Sequence, residues 1–345
     1  MRATIVLTVR NEGAFLIEWL AHHRGLGFTD FLVFSNDCQD GTDAMLDRLQ
    51  AMGWLEHVRN EGPFDKGGVQ WSALKAADRH PLVRGADWLL TLDIDEFVNI
   101  HVGDHSLPAL LAALPEADAI TLTWRLFGNC GQVEYRDAPV TESFTRAAPE
   151  LMPWPWRAFM FKTLYRNNGA YRKLGVHRPR APVEGVADRA RWFDGEGRAL
   201  PPRFRRGQIF SPFGRRNYGL VQLNHYPLGS MESYLLKRDR GRAVHADDAL
   251  GMDYWVERNW CQEEDVSIAA SAPLAAPWLA ELRADRVLVD LHDRAVAWRH
   301  ARVAELLQEE PCRALMGRLI MTPPAEPVPV AAARRLFQFA RAGKE

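Results

Sequence analysis

The chain has 345 residues, of which 47% are hydrophobic and 25% charged, and its formal net charge is -1. These are ordinary values for a soluble globular protein, and near-neutrality leaves no whole-molecule field to draw nucleic acid or anionic lipid. The length suits one large domain or two, and one domain with a C-terminal extension is the expectation. Cys38, Cys130, Cys261 and Cys312 form neither a dense disulfide framework nor a Cys-x-x-Cys metal spacing, so a reducing cytoplasm fits. The apolar run Thr4 to Val9 is short for a signal-peptide core, and no stretch reaches the ~20 apolar residues of a membrane span. Any membrane contact is therefore expected to be peripheral, at the inner face.

Over the first 125 residues short apolar runs alternate with helical patterns, which predicts a parallel sheet with crossover helices. Thr4 to Val9 reads as a first strand buried on both faces. Phe15, Leu16, Trp19, Leu20 and His23 then recur at helical spacing until Gly25 and Gly27. Phe31 to Phe34 is a second strand, Asp40-Gly41-Thr42-Asp43 opens a helix, and Trp54 to Val58 is a third strand. Gln70 to Asp78 reads as a helix, Trp88 to Leu92 as a strand, and Ala119 to Trp124 as another. From Arg157 to Arg216 the chain carries 13 Arg and 2 Lys against 4 acidic residues, broken by Gly and Pro, and reads as a basic loop region. No nucleic-acid-binding motif accompanies that charge, so nucleic acid is not an expected partner. Leu288, Leu291, Ala295 and Trp298 predict a long helix. Pro323, Pro324, Pro327 and Pro329 precede an amphipathic tail in which Arg334, Arg335, Leu336, Phe337 and Phe339 would either pack on the core or dock at a membrane or partner.

Ligands of open α/β sheets gather beyond the carboxyl ends of the strands. Three segments fall there: Val9-Arg10-Asn11-Glu12, Ser35-Asn36-Asp37 and Asp93-Ile94-Asp95-Glu96. Two carboxylates one residue apart after a buried strand suit Mg²⁺ or Mn²⁺, which completes its shell with nucleotide phosphate oxygens. Asn11 reads equally as a helix cap, and Ser35 to Thr42 as an ordinary turn. His22 and His23 are expected to be structural, whereas His177 and His225 fall in loops beyond the sheet. Trp154 and Trp156 suit either sugar stacking or core packing.

In combination these segments resemble the glycosyltransferase family 2 type of GT-A enzyme, particularly the bacterial branch related to family 92. Arg10-Asn11-Glu12 with Glu18-Trp19-Leu20 and His22-His23 resembles the opening motif, Asn36-Asp37 with Asp40-Gly41-Thr42 the second, and Leu92-Asp93-Ile94-Asp95-Glu96-Phe97 the Asp-x-Asp motif. Trp124-Arg125-Leu126-Phe127-Gly128, Lys162, Gly175-Val176-His177-Arg178-Pro179, Asn224-His225-Tyr226, Lys237 and Arg240-Gly241 follow in order. The resemblance implies a GT-A-like α/β fold over residues 1–245, with the nucleotide sugar on 1–125 and acceptor and basic loops on 126–245. A helical extension (246–322) and a Pro-rich linker with tail (323–345) would follow.

The implied reaction moves a sugar from a nucleotide-sugar donor, UDP-linked, to a glycan or other hydroxyl acceptor. Asp93, Asp95 and His225 would hold a divalent cation, Mn²⁺ or Mg²⁺. Val9, Arg10, Asn11, Glu12, Asn36, Asp37, Asp93, Lys237 and Arg240 would bind the donor, and Trp124, Arg125 and His177 would lie toward the acceptor or diphosphate. Family 2 enzymes often hold the base with paired aspartates where this chain has Ser35 and Asn36. Asp95 is the central catalytic carboxylate, and an inverting reaction would need a base, for which Glu96 and Glu142 are the candidates. Two rivals remain: a nucleotidyltransferase, which would show a Gly-rich phosphate loop, and a sugar-binding module without turnover.

Overall fold

The computed structural model describes residues 1–64, 67–152, 154, 156–241 and 250–342. The domain boundary expected at 245 lies outside them, as do the side chains of Trp156 and Phe337. Strands β1 (Ala3–Val9), β2 (Asp30–Ser35), β3 (Glu56–Arg59) and β4 (Trp88–Leu92) are parallel neighbours in the order β3-β2-β1-β4. Helices α1 (Gly13–Leu26), α2 (Thr42–Ala51) and α3 (Gly68–Ala77) connect them. Four further strands extend the sheet: β5 (Glu96–Ile100), β6 (Ala119–Leu126), β7 (Phe161–Arg166) and β8 (Val221–His225). The order continues β4-β7-β6-β8-β5, with β7 antiparallel to both its neighbours and β5 antiparallel to β8. This mixed, parallel-rich sheet flanked by helices is the GT-A-like architecture that the resemblance implies.

The basic region is not all loop. Its segment Phe161–Arg166 is a central strand, and Lys162 within it has no exposed side-chain surface. The buried charge of Lys162 is met by the distant carboxylates of Asp93 and Glu96. Gly25 does not end α1 either. The helix runs to Leu26 and is capped by Gly27 at φ 102°, a left-handed conformation that glycine adopts without strain. A Cβ on Gly25 would lie 2.6 Å from the Leu274 carbonyl oxygen, so this glycine lets a C-terminal helix cross α1 at contact distance.

Helices α4 (Met231–Asp239), α5 (Ala272–Ala284), α6 (Arg286–Leu306), α7 (Glu310–Met321) and α8 (Val330–Ala342) complete the chain. Leu282, Leu288 and Ala295 join the same core as Trp19 and Leu20 of α1. The proline-rich segment between α7 and α8 is tied to the body, since the Ala325 N–H donates to Asn259 O at 2.7 Å and Gln262 donates to Ala325 O. Along α8, Ala333 is buried while Val330 and Phe339 are exposed. Among the described residues no helix is long and apolar enough to cross a membrane. Cys130 and Cys261, 131 residues apart, form a disulfide, which the wide sequence spacing did not lead us to expect. Gly128 makes the approach possible, because a Cβ there would be 2.4 Å from Trp260 O.

His22 and His23 are structural, as expected. Nε2 of His22 donates to Val98 O at 2.7 Å, Nδ1 of His23 donates to Trp19 O at 2.9 Å, and Nε2 of His23 accepts from the Val98 N–H at 3.3 Å. The pair thereby fastens β5 to α1. Burial lowers the His22 pKa from 6.5 to about 4. Between those values the unfolded chain takes up the proton and the folded chain does not, so stability falls as pH drops through that window. His22→Gln keeps a donor for Val98 but does not titrate. Denaturant titrations from pH 6.5 to 4 should show wild type losing about 1.4 kcal/mol more per pH unit than the variant, and parallel slopes would contradict a buried neutral His22.

Candidate active site

The carboxyl ends of β1, β2 and β4 open into one cavity of about 620 Å³. Between β4 and β5 the chain must leave the centre of the sheet for its edge, and Asp93-Ile94-Asp95 makes that turn. Glu96, fully buried at the start of β5, organises it. Its Oε2 accepts from the Asp93 backbone N–H at 2.9 Å and lies 3.4 Å from Lys162 Nζ, while Oε1 accepts from Trp124 Nε1 at 2.6 Å. Its backbone carbonyl accepts from Trp19 Nε1 at 2.9 Å. Burial raises the Glu96 pKa against the opposing pull of Lys162.

Each carboxylate of the motif has its own lysine. Lys162 Nζ is 2.8 Å from Asp93 Oδ2, and Gln70 donates to Asp93 Oδ1 at 3.2 Å. Lys237 Nζ, carried on α4, donates to Asp95 Oδ2 at 2.7 Å and to Pro227 O at 2.8 Å. His225 Nε2 is 3.7 Å from Asp95 Oδ1. Burial pushes the Asp95 carboxyl up, but Lys237 and then His225 outweigh it and hold it well below the usual range. Burial lowers the His225 pKa against the pull of Asp95, so the imidazole is neutral near pH 7. The ring packs on Trp124 at 4.3 Å between centroids, and its Nδ1 has no hydrogen-bond partner.

The rim of the cavity is basic. Arg240 pairs with Glu12 and donates to Arg10 O at 2.9 Å, while Arg10 donates to Arg240 O at 2.9 Å. Burial raises the Glu12 pKa, opposed by Arg240. Val9, Asn36 and Asp37 line the cavity. Asn11 is not the cap of α1: at φ 55° its Oδ1 accepts from the Gln39 N–H at 2.7 Å, tying the β1 and β2 loops together. Ser35 faces His57. Trp124 lines the cavity, but Arg125, its neighbour on the alternate face of β6, points away to Glu263 at 2.6 Å. His177 stands behind Trp124, with Nδ1 3.1 Å from Phe161 O, and burial lowers its pKa to about 4. Neither Glu96 nor Glu142 lines a cavity, and Glu142 is exposed on the turn Val140–Ser143. Sequence reasoning missed Phe64, Gln70, Tyr254 and Arg258 as cavity walls. The last two face it from a short helix (Met252–Val256) and the residues just after it, where no motif pointed.

Among the described residues no three His, Cys, Asp or Glu side chains are grouped to hold a metal unaided. The carboxylate oxygens of Asp95 and Asp93 are the ligand type for Mn²⁺ or Mg²⁺, and the imidazole of His225 is one that Mn²⁺ would accept more readily than Mg²⁺.

No family model matches the chain. It is 26% identical over 150 residues to a glycosyltransferase family 92 protein of Oryza sativa subsp. japonica, covering 41% of this chain and 24% of that one. A family 92 protein of Ricinus communis is 26% identical over 148 residues, 39% and 24% of the two chains. The match thus spans about a quarter of the length of these relatives. The solved structure of S. aureus TarS 1–349 in complex with UDP-GlcNAc aligns with TM-score 0.30 and 18% identity over 48% of this chain and 45% of that one.

The lysine in β7 yields a direct test. Lys162→Met leaves Asp93 and Glu96 without their shared counter-charge, and breaking such a buried pair costs about 3 kcal/mol or more. Denaturant unfolding should record that loss, whereas a change below ~1 kcal/mol, the range of an exposed ion pair, would contradict its place in the site. In sequence the chain is similar, over part of its length, to glycosyltransferase family 92 proteins, and its sheet carries a charged cavity at the strand ends.

Proposed function

We propose that the chain transfers a sugar from a nucleotide-sugar donor, UDP-linked, to a glycan or other hydroxyl acceptor. The observation that carries this reading is the meeting of Asp93, Asp95, Lys237, Arg240 and Arg10 in one cavity at the carboxyl ends of three parallel strands. The similarity to family 92 glycosyltransferases points the same way.

Breaking the bond between the anomeric carbon and the diphosphate leaves negative charge on the departing phosphate, and fixed donors aimed at that charge lower the barrier. Lys237 is positioned for this by Asp95 and Pro227 O, so its ammonium is oriented before the donor arrives. Arg240 is held by Glu12, and the Nε of Arg10 has no partner. Both guanidinium groups offer planar donors suited to phosphate oxygens. Asp95 and His225 would hold the divalent cation, with Asp93 as the further carboxylate of the motif. When bound, that ion would neutralise and polarise the diphosphate. Trp124 and His225 form an apolar wall beside Asp95 that limits water access.

Asp95→Asn tests the reading. It keeps an oxygen for Lys237 but removes the charge, so the protein should remain folded while transfer collapses. Each ~1.4 kcal/mol of lost stabilisation is tenfold in rate, and a fall of about a hundredfold or more is expected. His225→Ala should give a smaller loss. Rates measured against Mn²⁺ concentration and with excess chelator, over a panel of UDP-sugars, decide the matter: a variant with wild-type turnover and the same metal curve removes Asp95 from the mechanism.

A further inference from the structure

A second cavity, of about 730 Å³, lies on the other side of the carboxylate wall. Glu12, Ile94, Asp95, Lys237, Asp239 and Arg240 border both cavities. A molecule held there would meet the donor cavity across that shared wall. Its remaining walls come from α1, through Phe15, from the segment 130–144, and from α6 of the C-terminal extension, through Trp298 and Arg299.

Four acidic and four basic side chains line this cavity, but not every one of the cations is paired with a carboxylate. Lys237 is held by Asp95, Arg240 by Glu12, and Asp239 by Arg302 at 2.9 Å. Glu134 and Arg136 are both exposed at its rim. Arg299 is left over. It is 3% exposed, its Nη2 donates to Ser233 Oγ at 2.9 Å, and its Nε is buried without a hydrogen-bond partner. The two carboxylates whose charge it feels are engaged elsewhere, Glu12 by Arg240 and Asp40 by the backbone of Gly13 and Thr42. Its guanidinium carbon rests 4.6 Å from the ring centre of Phe15 and 4.5 Å from that of Tyr135. These rings fix the plane of the group and offset part of its desolvation. They leave the Nε donor of a buried cation unused, and a carboxylate or phosphate is the acceptor that suits a guanidinium. Phe15, Tyr135 and Trp298 supply the apolar faces against which a sugar ring packs.

We propose that this cavity is the acceptor site and that it takes a saccharide bearing an anionic group, with Arg299 as the specificity-determining contact. That the ligand is an acceptor rests on the glycosyl-transfer reading above; the preference for an anion rests on the buried Arg299 guanidinium, which has no carboxylate of its own. A carboxylated sugar and a phosphorylated sugar share the required chemistry.

The test uses the full chain saturated with UDP and Mn²⁺, so that the donor cavity is filled, and reads binding of methyl glucuronide, glucose 6-phosphate and methyl glucoside by saturation-transfer NMR. At least one anionic sugar should bind about tenfold or more tightly than methyl glucoside, and the stronger of the two identifies the anion. Arg299→Gln should abolish that preference while UDP affinity is unchanged, and Arg299→Lys should retain part of it. Equal binding of all three sugars by wild type, or binding of neither anion, overturns the proposal without recourse to a variant that might misfold. UDP affinity, titrated on the same samples, reports separately on the donor cavity: its loss in wild type would count against glycosyl transfer, not against the anion preference.

Discussion

The buried carboxylate of Glu96 is the interaction on which the rest of the site depends. It gathers the Asp93 N–H, the Trp124 indole and the Lys162 ammonium, three donors from three separate strand regions, at a point without solvent. Satisfying one buried carboxyl group in this way fixes the turn after β4, the side chain of Trp124 and the position of β7 together. The reach of the turn extends further, since the Glu96 carbonyl holds Trp19 of α1 and the Asp95 carbonyl accepts from Tyr226 N–H at 2.8 Å. Asp93 and Asp95 are therefore displayed from a rigid frame rather than from a free loop, as a site that must orient a reacting bond requires.

Two cavities meet at this turn, and the wall between them is made of ion pairs. Asp95 with Lys237 and Glu12 with Arg240 join the N-terminal strand ends to α4, more than 140 residues away in sequence. The C-terminal extension reaches the same region from the other side of the sequence. α6 closes the second cavity with Trp298 and Arg299, and the same helix packs Ala295 against Gly13 at the start of α1. A chain lacking α6 would keep the strand ends but lose one wall of the second cavity.

Much of the N-terminal half was legible because its strands are continuous apolar runs. Trp88–Leu92 is buried at every position and has the bounds expected from its sequence. The Asp-x-Asp segment was legible for the same reason, as an acidic cluster directly after such a strand. β7 and β8 were not, because Phe161–Arg166 and Val221–His225 carry Lys162, Thr163, Gln222 and Asn224 at buried positions. Those polar groups are satisfied by residues far along the chain: Lys162 by Asp93, Gln222 by Asp265, and Asn224 by Asn99. No local pattern reports such a partner. The resemblance to family 2 enzymes picked out Lys162 and Lys237 but not what they hold, and Arg125 read as a site residue although strand alternation turns it to Glu263. Arg299 carried no signal, being one arginine in a helix rich in them.

The central claim is that the strand-end cavity is built for a nucleoside diphosphate, with Lys237, Arg240 and Arg10 facing the phosphates. Calorimetric titration of the full chain with UDP and with uridine, both in the presence of Mn²⁺, tests it most directly, because the two ligands share the base and ribose and differ only in the group those cations would meet. UDP should bind at least about tenfold more tightly than uridine, the effect of one charge-assisted contact or more. Equal affinity for the two, or no measurable binding of either, would contradict a diphosphate site at Asp93 and Asp95.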